Sequence, residues 1–472
     1  MPRRIRPLVV VAALLATGLV APATAGAATS DPGPIGFGSP SVVPAAGTFY
    51  PTAVTRVLGT ATTGYAVAPD RSVTVPTAGR GTLPSSGVSA LMVNLTATAA
   101  ATDVRLGVAA TGSATAGPIL AVPAGTARSI LLTVPLVTST GFDVTSQGGA
   151  AIVTADVVGF YAADDTVVAG RGLSGGYQPV DATRLHESTA ADALPASGRA
   201  LLAVDLGAQA NAHATALLVR VTSKDTSAVG ALAVTAASVP LPSPPGAATA
   251  TTPTTPAGPA APGDDTAALP ATVSFGAGAA MSNLALVPAE VDSDGRIPVA
   301  VTNAGSGTAG YALDLVGFYD DGALGPNLRF RPLPQTSVLD PASKRGGSSP
   351  LAPGARQRAT PADAVVSDST FGLVGVLTAS TTTASTVGVF SDDITPEAAD
   401  SAPIGAGTTS LAVQAEVGAQ RGVSLVAGYG AAPVELSLDV VGSFEAFPPV
   451  SNPAARGWVP PVAPWQISAA AR

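Results

Sequence analysis

The sequence predicts an all-β protein of three tandem β-sandwich domains, Ig-like or jelly-roll-like, and three observations lead there. Short runs of Val, Thr, Leu and Ala dominate, broken by 52 Gly and 43 Pro, with turn residues about every ten positions and no long helical periodicity. Four sequence anchors recur three times in one order. The 472 residues are 46% hydrophobic and 11% charged, which supplies apolar surface for several cores.

The first element reads as an export signal. Arg3, Arg4 and Arg6 precede an apolar run from Leu8 to about Val20, and small residues follow. This is the layout of a secretory signal peptide over residues 1–27, with cleavage expected near Ala25 to Ala28. The run is shorter than the roughly 20 residues of a spanning helix, and no later run reaches that length, so no membrane span is expected after cleavage. The expected location is secreted or extracellular, with cell-wall association. Without the three signal arginines, 31 acidic residues face 20 basic ones, a net charge near −11 that disfavours nucleic-acid partners. There is no cysteine, which excludes thiol catalysis and Cys-based zinc sites.

Each repeat opens with an aromatic residue and a proline: FYPTAVTRVLGT from Phe49, GYQPVDATRLHES from Gly176 and RFRPLPQTSVLDP from Arg329. A central apolar strand follows: ALMVNLTAT from Ala90, ALLVRVTSK from Ala216 and FGLVGVLTAS from Phe371. A late strand comes next: ARSILLTVPL from Ala127, MSNLALVPAE from Met281 and TSLAVQAEV from Thr409. The unit closes on DVVGFY from Asp156, DLVGFY from Asp314 and DVVGSF from Asp439. These anchors place the repeats at 47–168, 175–325 and 328–448, followed by a Pro-rich tail, 449–472, that holds Trp458 and Trp465. The closing aspartates lie 158 and 125 residues apart, because repeat two carries an insert, 240–270, rich in Pro, Thr and Ala. The insert should be an extended loop between strands near 231–239 and 271–275, and is a candidate for O-linked sugars.

These anchors resemble a repeat of exported actinobacterial proteins that opens with R-L-L-D-T-R, continues through V-x-N-V-T and A-N-L-V-V-V-P, and closes with V-D-V-V-G-Y-F. ALMVNLT, MSNLALVP and DVVGFY carry the likeness, which covers nearly all of the chain after the signal. It implies an accessory β-sandwich of cell-wall or extracellular proteins, in some cases attached to peptidoglycan amidases or other hydrolases. The chain departs from the pattern at Gly59 and His186, where the repeat favours Asp, and at Ser337, where the other two repeats have Arg.

A search for catalytic chemistry finds little. The two histidines, His186 and His213, both fall in repeat two, with no nucleophile elbow for a triad. Asp292-Ser-Asp294-Gly295 begins like a calcium loop but lacks the third acid and the distal Glu, and reads as a turn. Asp164-Asp165, Asp320-Asp321 and Asp392-Asp393 read as solvated turn residues. The sequon at Asn94 falls on a core strand, and with 4% aromatic residues a sugar-stacking platform has no support. No cofactor, metal site or catalytic residue is expected.

The aspartate that closes each repeat is the candidate that remains. Strand alternation assigns Val153, Ala155, Val157, Gly159 and Tyr161 to one inward face, with the equivalent residues through Tyr319 and Phe444 in the other repeats. Asp156 then lies on the opposite face, which is also apolar enough to be covered by a second layer, a loop or a neighbouring repeat. A buried carboxylate needs a partner, and the opening motif supplies one as a two-pronged guanidinium: Arg56 for Asp156 and Arg184 for Asp314. Asp439, with Ser337 opposite, is expected to bond backbone amides, Arg329 or Arg331. The expected function is a non-catalytic structural, adhesive or accessory protein, its partners wall polysaccharide or other exported proteins. Carbohydrate or peptidoglycan binding is the first alternative, and an unrecognised hydrolase the second.

Overall fold

The β-branched runs bounded by Gly and Pro become strands, and the strand order in each repeat is that of a jelly roll. The structure is a computed structural model. It describes residues 46–60, 63–99, 101–113, 119–164, 167, 175–238, 270–324, 327–340, 350–393, 401–418, 420–428, 430–447 and 467–471. The signal, the body of the insert, and the tail as far as 466 with both tryptophans lie outside the described residues.

Unit one contains β1 (Phe49–Leu58), β2 (Tyr65–Val67), β3 (Ser72–Pro76), β4 (Val88–Ala99), β5 (Val104–Ala110), β6 (Ile119–Val122), β7 (Ala127–Pro135), β8 (Gly141–Gln147) and β9 (Ala151–Ala162). They form an inner sheet in the order β1-β9-β4-β7, with short β2 beside β9, and an outer sheet β3-β8-β5-β6.

Unit two contains β10 (Tyr177–Glu187), β11 (Arg199–Asp205), a six-residue helix α1 (Ala208–His213), β12 (Ala214–Lys224), β13 (Gly230–Ala236), β14 (Val273–Phe275), β15 (Met281–Pro288), β16 (Ile297–Asn303) and β17 (Gly310–Asp320). Unit three contains β18 (Asn327–Leu339), β19 (Arg356–Ala359), β20 (Thr370–Thr381), β21 (Ser385–Ser391), β22 (Ala402–Ile404), β23 (Gly407–Glu416), β24 (Val423–Ala427) and β25 (Val434–Phe447). Their inner sheets, β10-β17-β12-β15 and β18-β25-β20-β23, and outer sheets, β11-β16-β13-β14 and β19-β24-β21-β22, repeat the order of unit one. This order selects the jelly roll over the Ig-like alternative. A last strand, β26 (Ser468–Ala471), which the sequence reading missed, pairs with β11.

Each unit has its own core between its sheets. Leu95, Leu106, Phe142 and Val153 fill the first, Val219, Val234, Val299 and Leu313 the second, and Leu377, Val387, Leu425 and Leu438 the third. A fourth core lies where the inner sheets meet: Met92, Leu131 and Val158 pack with Leu218, Leu286, Val374 and Val441. The units therefore do not stand apart as beads in tandem. The described residues from 46 onward form one body, in which β10 pairs with β18 and joins two inner sheets into an eight-stranded one.

Opening strands and aromatic rings close the centre. The Phe49 amide donates to the Gly175 carbonyl and the Phe330 amide to the Gly47 carbonyl, both at 2.9 Å, and Tyr177 pairs with Leu328. Each unit is thus tied to the next and the third back to the first. Gly47, at φ +77°, lies so close to unit three that a Cβ there would stand 2.5 Å from the Phe330 carbonyl oxygen. Six buried rings follow the same cycle, Phe49, Tyr161, Phe330, Phe444, Tyr177 and Tyr319, with neighbouring centroids 4.2 to 5.9 Å apart. The Tyr161 and Tyr319 hydroxyls bond each other at 2.6 Å, and Tyr177 donates to the Val316 carbonyl at 2.8 Å.

This arrangement corrects the assignment of faces. Val157 is paired with Val93 and Gly159 with Met92, so Val158 is an extra residue, a β-bulge. Val316 and Val441 are the bulged residues of units two and three. Beyond the bulge the alternation inverts: Phe160 and Phe318 enter the unit cores, whereas Tyr161, Tyr319 and Phe444 turn to the central core on the aspartate's side. The motif's glycine has its reason here as well. A Cβ on Gly159, Gly317 or Gly442 would stand 2.2 Å from the opening ring of its own unit, Phe49, Tyr177 or Phe330.

Candidate functional site

Register brings the first and last strands of a unit together, and with them the arginine and the aspartate. Arg56 is the pairing partner of Asp156, and Arg184 of Asp314. Arg56 Nε and Nη2 donate to Asp156 Oδ1 and Oδ2 at 2.7 and 2.8 Å, a two-pronged pair in which Asp156 is 1% exposed. Arg184 Nε donates to Asp314 Oδ1, and its Nη1 also reaches Glu187. Burial pushes both aspartates up from the ordinary carboxylate range, and the arginines pull in the opposite direction; Arg220 adds its field at Asp314.

Asp439 corrects the expectation for repeat three. Its partners are Ser337, opposite it in register, and Gln335, whose side chains bond the carboxyl; neither Arg329 nor Arg331 does so. Arg329 Nε donates to Asn327 and its guanidinium lies over the Phe447 ring, 4.6 Å from the centroid. Arg331 Nε donates to Glu445 Oε1 at 3.0 Å. Burial, with Asp340 nearby, holds the Asp439 carboxyl up, and no arginine offsets it.

Glu445 exposes a second fastening that the sequence reading missed. The residues after the closing ring, Ala162, Asp320 and Glu445, occupy one structural position, and those after the opening ring, Tyr50, Gln178 and Arg331, occupy another. Gln178 Nε2 donates to Asp320 Oδ2 at 3.0 Å, which makes Gln178–Asp320 the counterpart of Arg331–Glu445. Asp320 is 0% exposed and also accepts from the Gly176 and Gly322 amides, so it is not the solvated turn residue expected. Burial pushes its carboxyl up. Glu445 accepts from the hydroxyls of Ser367, Ser369, Thr370 and Ser443, which together hold it below its ordinary range despite burial. Comparing these two columns across the repeats would have revealed complementary polar pairs.

The remaining candidates are local. Asp392, expected in a solvated turn, is 4% exposed and meets Arg358 Nε. Asp292 Oδ1 accepts from the Asp294 and Arg296 amides, folding the Asp-rich turn onto itself. Asn94 is buried on β4 and donates to the Ala271 carbonyl of unit two at 3.0 Å. His213 Nδ1 lies 3.0 Å from Asp321 Oδ2, and His186 Nε2 lies 3.6 Å from Asp192 Oδ2.

Clefts lie between units, and one of about 280 Å³ between units one and three is lined by Arg105, Asp340, Glu435 and Asp439. That between units one and two, about 520 Å³, is walled by Val54, Leu131, Val158, Leu284, Leu286 and Pro288. That between units two and three, about 360 Å³, has an equivalent position with different chemistry: Arg220 stands where Asn94 is, and Glu416 where Pro288 is. Asp181, Thr183 and Ser391 add polar groups beside Phe371 and Phe390. Neither histidine lines any of these clefts.

No family model matches this chain, and no curated protein does. Among solved structures, a chain described under "The Triple Jelly Roll Fold and Turret Assembly in an Archaeal Virus" is 9% identical, with 85% of this chain and 91% of that one covered and a TM-score of 0.18. A chain from "Life in the extremes: atomic structure of Sulfolobus Turreted Icosahedral Virus" is likewise 9% identical, with 84% and 91% covered and a TM-score of 0.15. With likeness this low, the all-β, jelly-roll-like architecture rests on the chain's own strand order.

Proposed function

We propose that this chain is an exported, non-catalytic structural or adhesive component of the bacterial envelope or extracellular space, a scaffold that presents surfaces and spaces its partners. The observation that carries the reading is the use of the recurring acid. Asp156 and Asp314 are tied to arginines of their own units, Asp439 to neutral side chains, and all three sit on strands whose next residues build the shared core. Asp156 and Asp314, buried against their arginines, hold the fold together and have no free face for a substrate, whereas Asp439 is half-buried beside the cleft between units one and three. The signal-like N-terminus and the acidic, cysteine-free composition support export.

Wall-polysaccharide binding is the second reading, favoured by the polar cleft between units two and three. Arg220 and Glu416 there offer donors and acceptors to hydroxyl and carboxylate groups beside two phenylalanine rings. Incubating the purified chain with isolated cell wall and assaying both retention and release of soluble fragments tests these readings together. Retention without fragment release supports an adhesive role, and its loss in Arg220→Ala assigns it to the cleft. Release of wall fragments would overturn the non-catalytic reading, and recovery of the native protein in the cytoplasmic fraction would overturn the exported one.

A further inference from the structure

The edges of the three outer sheets differ in a way that bears on association between copies. The equivalent edge strands are β3, β11 and β19. β3 is Ser-Val-Thr-Val-Pro, with Pro76 at its end, and β19 is Arg-Gln-Arg-Ala; proline and charge are the usual means of keeping an edge from pairing with another chain. β11 has neither in its centre, where Ala200 to Val204 is apolar throughout. Among the described residues it is also the one of the three that another strand covers. β26 lies antiparallel on it, pairing Asp205 with Ser468, Val204 with Ala469, Ala203 with Ala470 and Leu202 with Ala471.

We propose that the β11 edge is a strand-acceptor slot, and that the segment Ile467–Ala471 of one copy fills this slot in a second copy, linking chains by strand exchange. The covering strand does not come from unit two. It follows unit three, whose last strand ends at Phe447, and residues 448–466 intervene, a contour of up to roughly 60 Å at about 3.3 Å per residue. Ile467 and Ala469 pack on unit two, and the strand pairs by its main chain along β11. Main-chain pairing is the same whichever copy supplies the strand, so exchange gives up no contact and leaves no bare β11 edge. This association does not depend on the scaffold role proposed above.

The cysteine-free chain allows a direct test. Asp205 and Ser468 face each other in register, a spacing that a disulfide spans. The double variant Asp205→Cys/Ser468→Cys should close a disulfide, within one chain or between exchanged chains; if neither forms, the slot is not occupied as described and the proposal fails. Full-length Asp205→Cys mixed with full-length Ser468→Cys should then give a covalent heterodimer on mild oxidation. Its yield should exceed by roughly tenfold that of Ser468→Cys mixed with a surface control, Asp70→Cys, because paired strands hold the thiols at high effective concentration. A synthetic peptide spanning residues 466–472, in excess, should suppress the heterodimer. A mixture no better than the control, or a cross-link indifferent to the peptide, would overturn strand exchange.

Discussion

A carboxylate taken out of water costs several kcal/mol unless something replaces its solvation, and the three closing aspartates meet that cost differently. Arg56, 10% exposed itself, is the two-pronged partner of a fully enclosed Asp156. Arg56→Ala should therefore lower unfolding free energy by about 3–5 kcal/mol in denaturant titration, much of it the penalty of a stranded charge. Arg184→Ala should cost less, since Arg184 is 36% exposed and Arg220 still favours the ionised Asp314. A larger loss at Arg184 than at Arg56 would contradict this ordering. Asp439 and Glu445 should give opposite pH signatures. The Asp439 carboxyl is raised in the fold, so its favourable neutral form stabilises at low pH and that contribution is lost as pH rises through the raised value. Asp439→Asn should thus gain on the parent chain between acid and neutral pH and match it at the acid end. Glu445 is held low, so its stabilisation is present above the ordinary carboxylate range and disappears as pH falls through the folded value. Glu445→Gln should be less stable than the parent at pH 7, with the difference closing in acid. Thermal unfolding across pH reads both.

The bulge is the element that decides what the closing strand does. A regular strand starting at Asp156 would send Tyr161 into unit one, and the extra residue Val158 sends it to the centre instead. Gly159 then allows the Phe49 ring to lie against the strand. Gly159→Ala should displace that ring and cost roughly 1–3 kcal/mol by overpacking, as should Gly317→Ala under Tyr177. Unaltered melting in either variant would refute the close-approach explanation. The four anchor segments of each repeat and the joining of opening arginine to closing aspartate were legible in the sequence, because each depends on local pattern or on a repeated pair; the order of strands in the sheets was not, and it is what distinguishes the jelly roll from the Ig-like alternative. The bulge was not legible, since DVVGFY reads as unbroken alternation and the inversion is visible only against the registers of β1 and β4. Asp320 was misread for a related reason: it follows the strand like a turn residue, yet the neighbouring opening segment closes over it.

Three jelly rolls facing one core behave differently from three separate sandwiches. The inner face of unit one exposes Met92, Leu131, Val158 and Tyr161 if its neighbours are removed. A fragment covering residues 46–164 should therefore associate or aggregate, and residues 44–472 should unfold in one cooperative calorimetric transition. Three resolved transitions would show that the shared core couples the units weakly. At the centre, Tyr161→Phe should cost about 1–2 kcal/mol by taking one of its two side-chain partners from the buried Tyr319 hydroxyl, which keeps Gln414, and Tyr161→Phe/Tyr319→Phe should cost little more than the single change. The sequence by itself determined the all-β class, the threefold repetition and the pairing of Asp156 and Asp314 with their arginines, because short-range alternation and repeated complementary residues encode these. Tertiary structure alone decided that the repeats fuse around an aromatic ring, that the bulge inverts the closing strand, and that a strand from beyond the third unit covers β11. Each of these depends on which surface meets which, and that is settled by the packing of residues far apart in the chain.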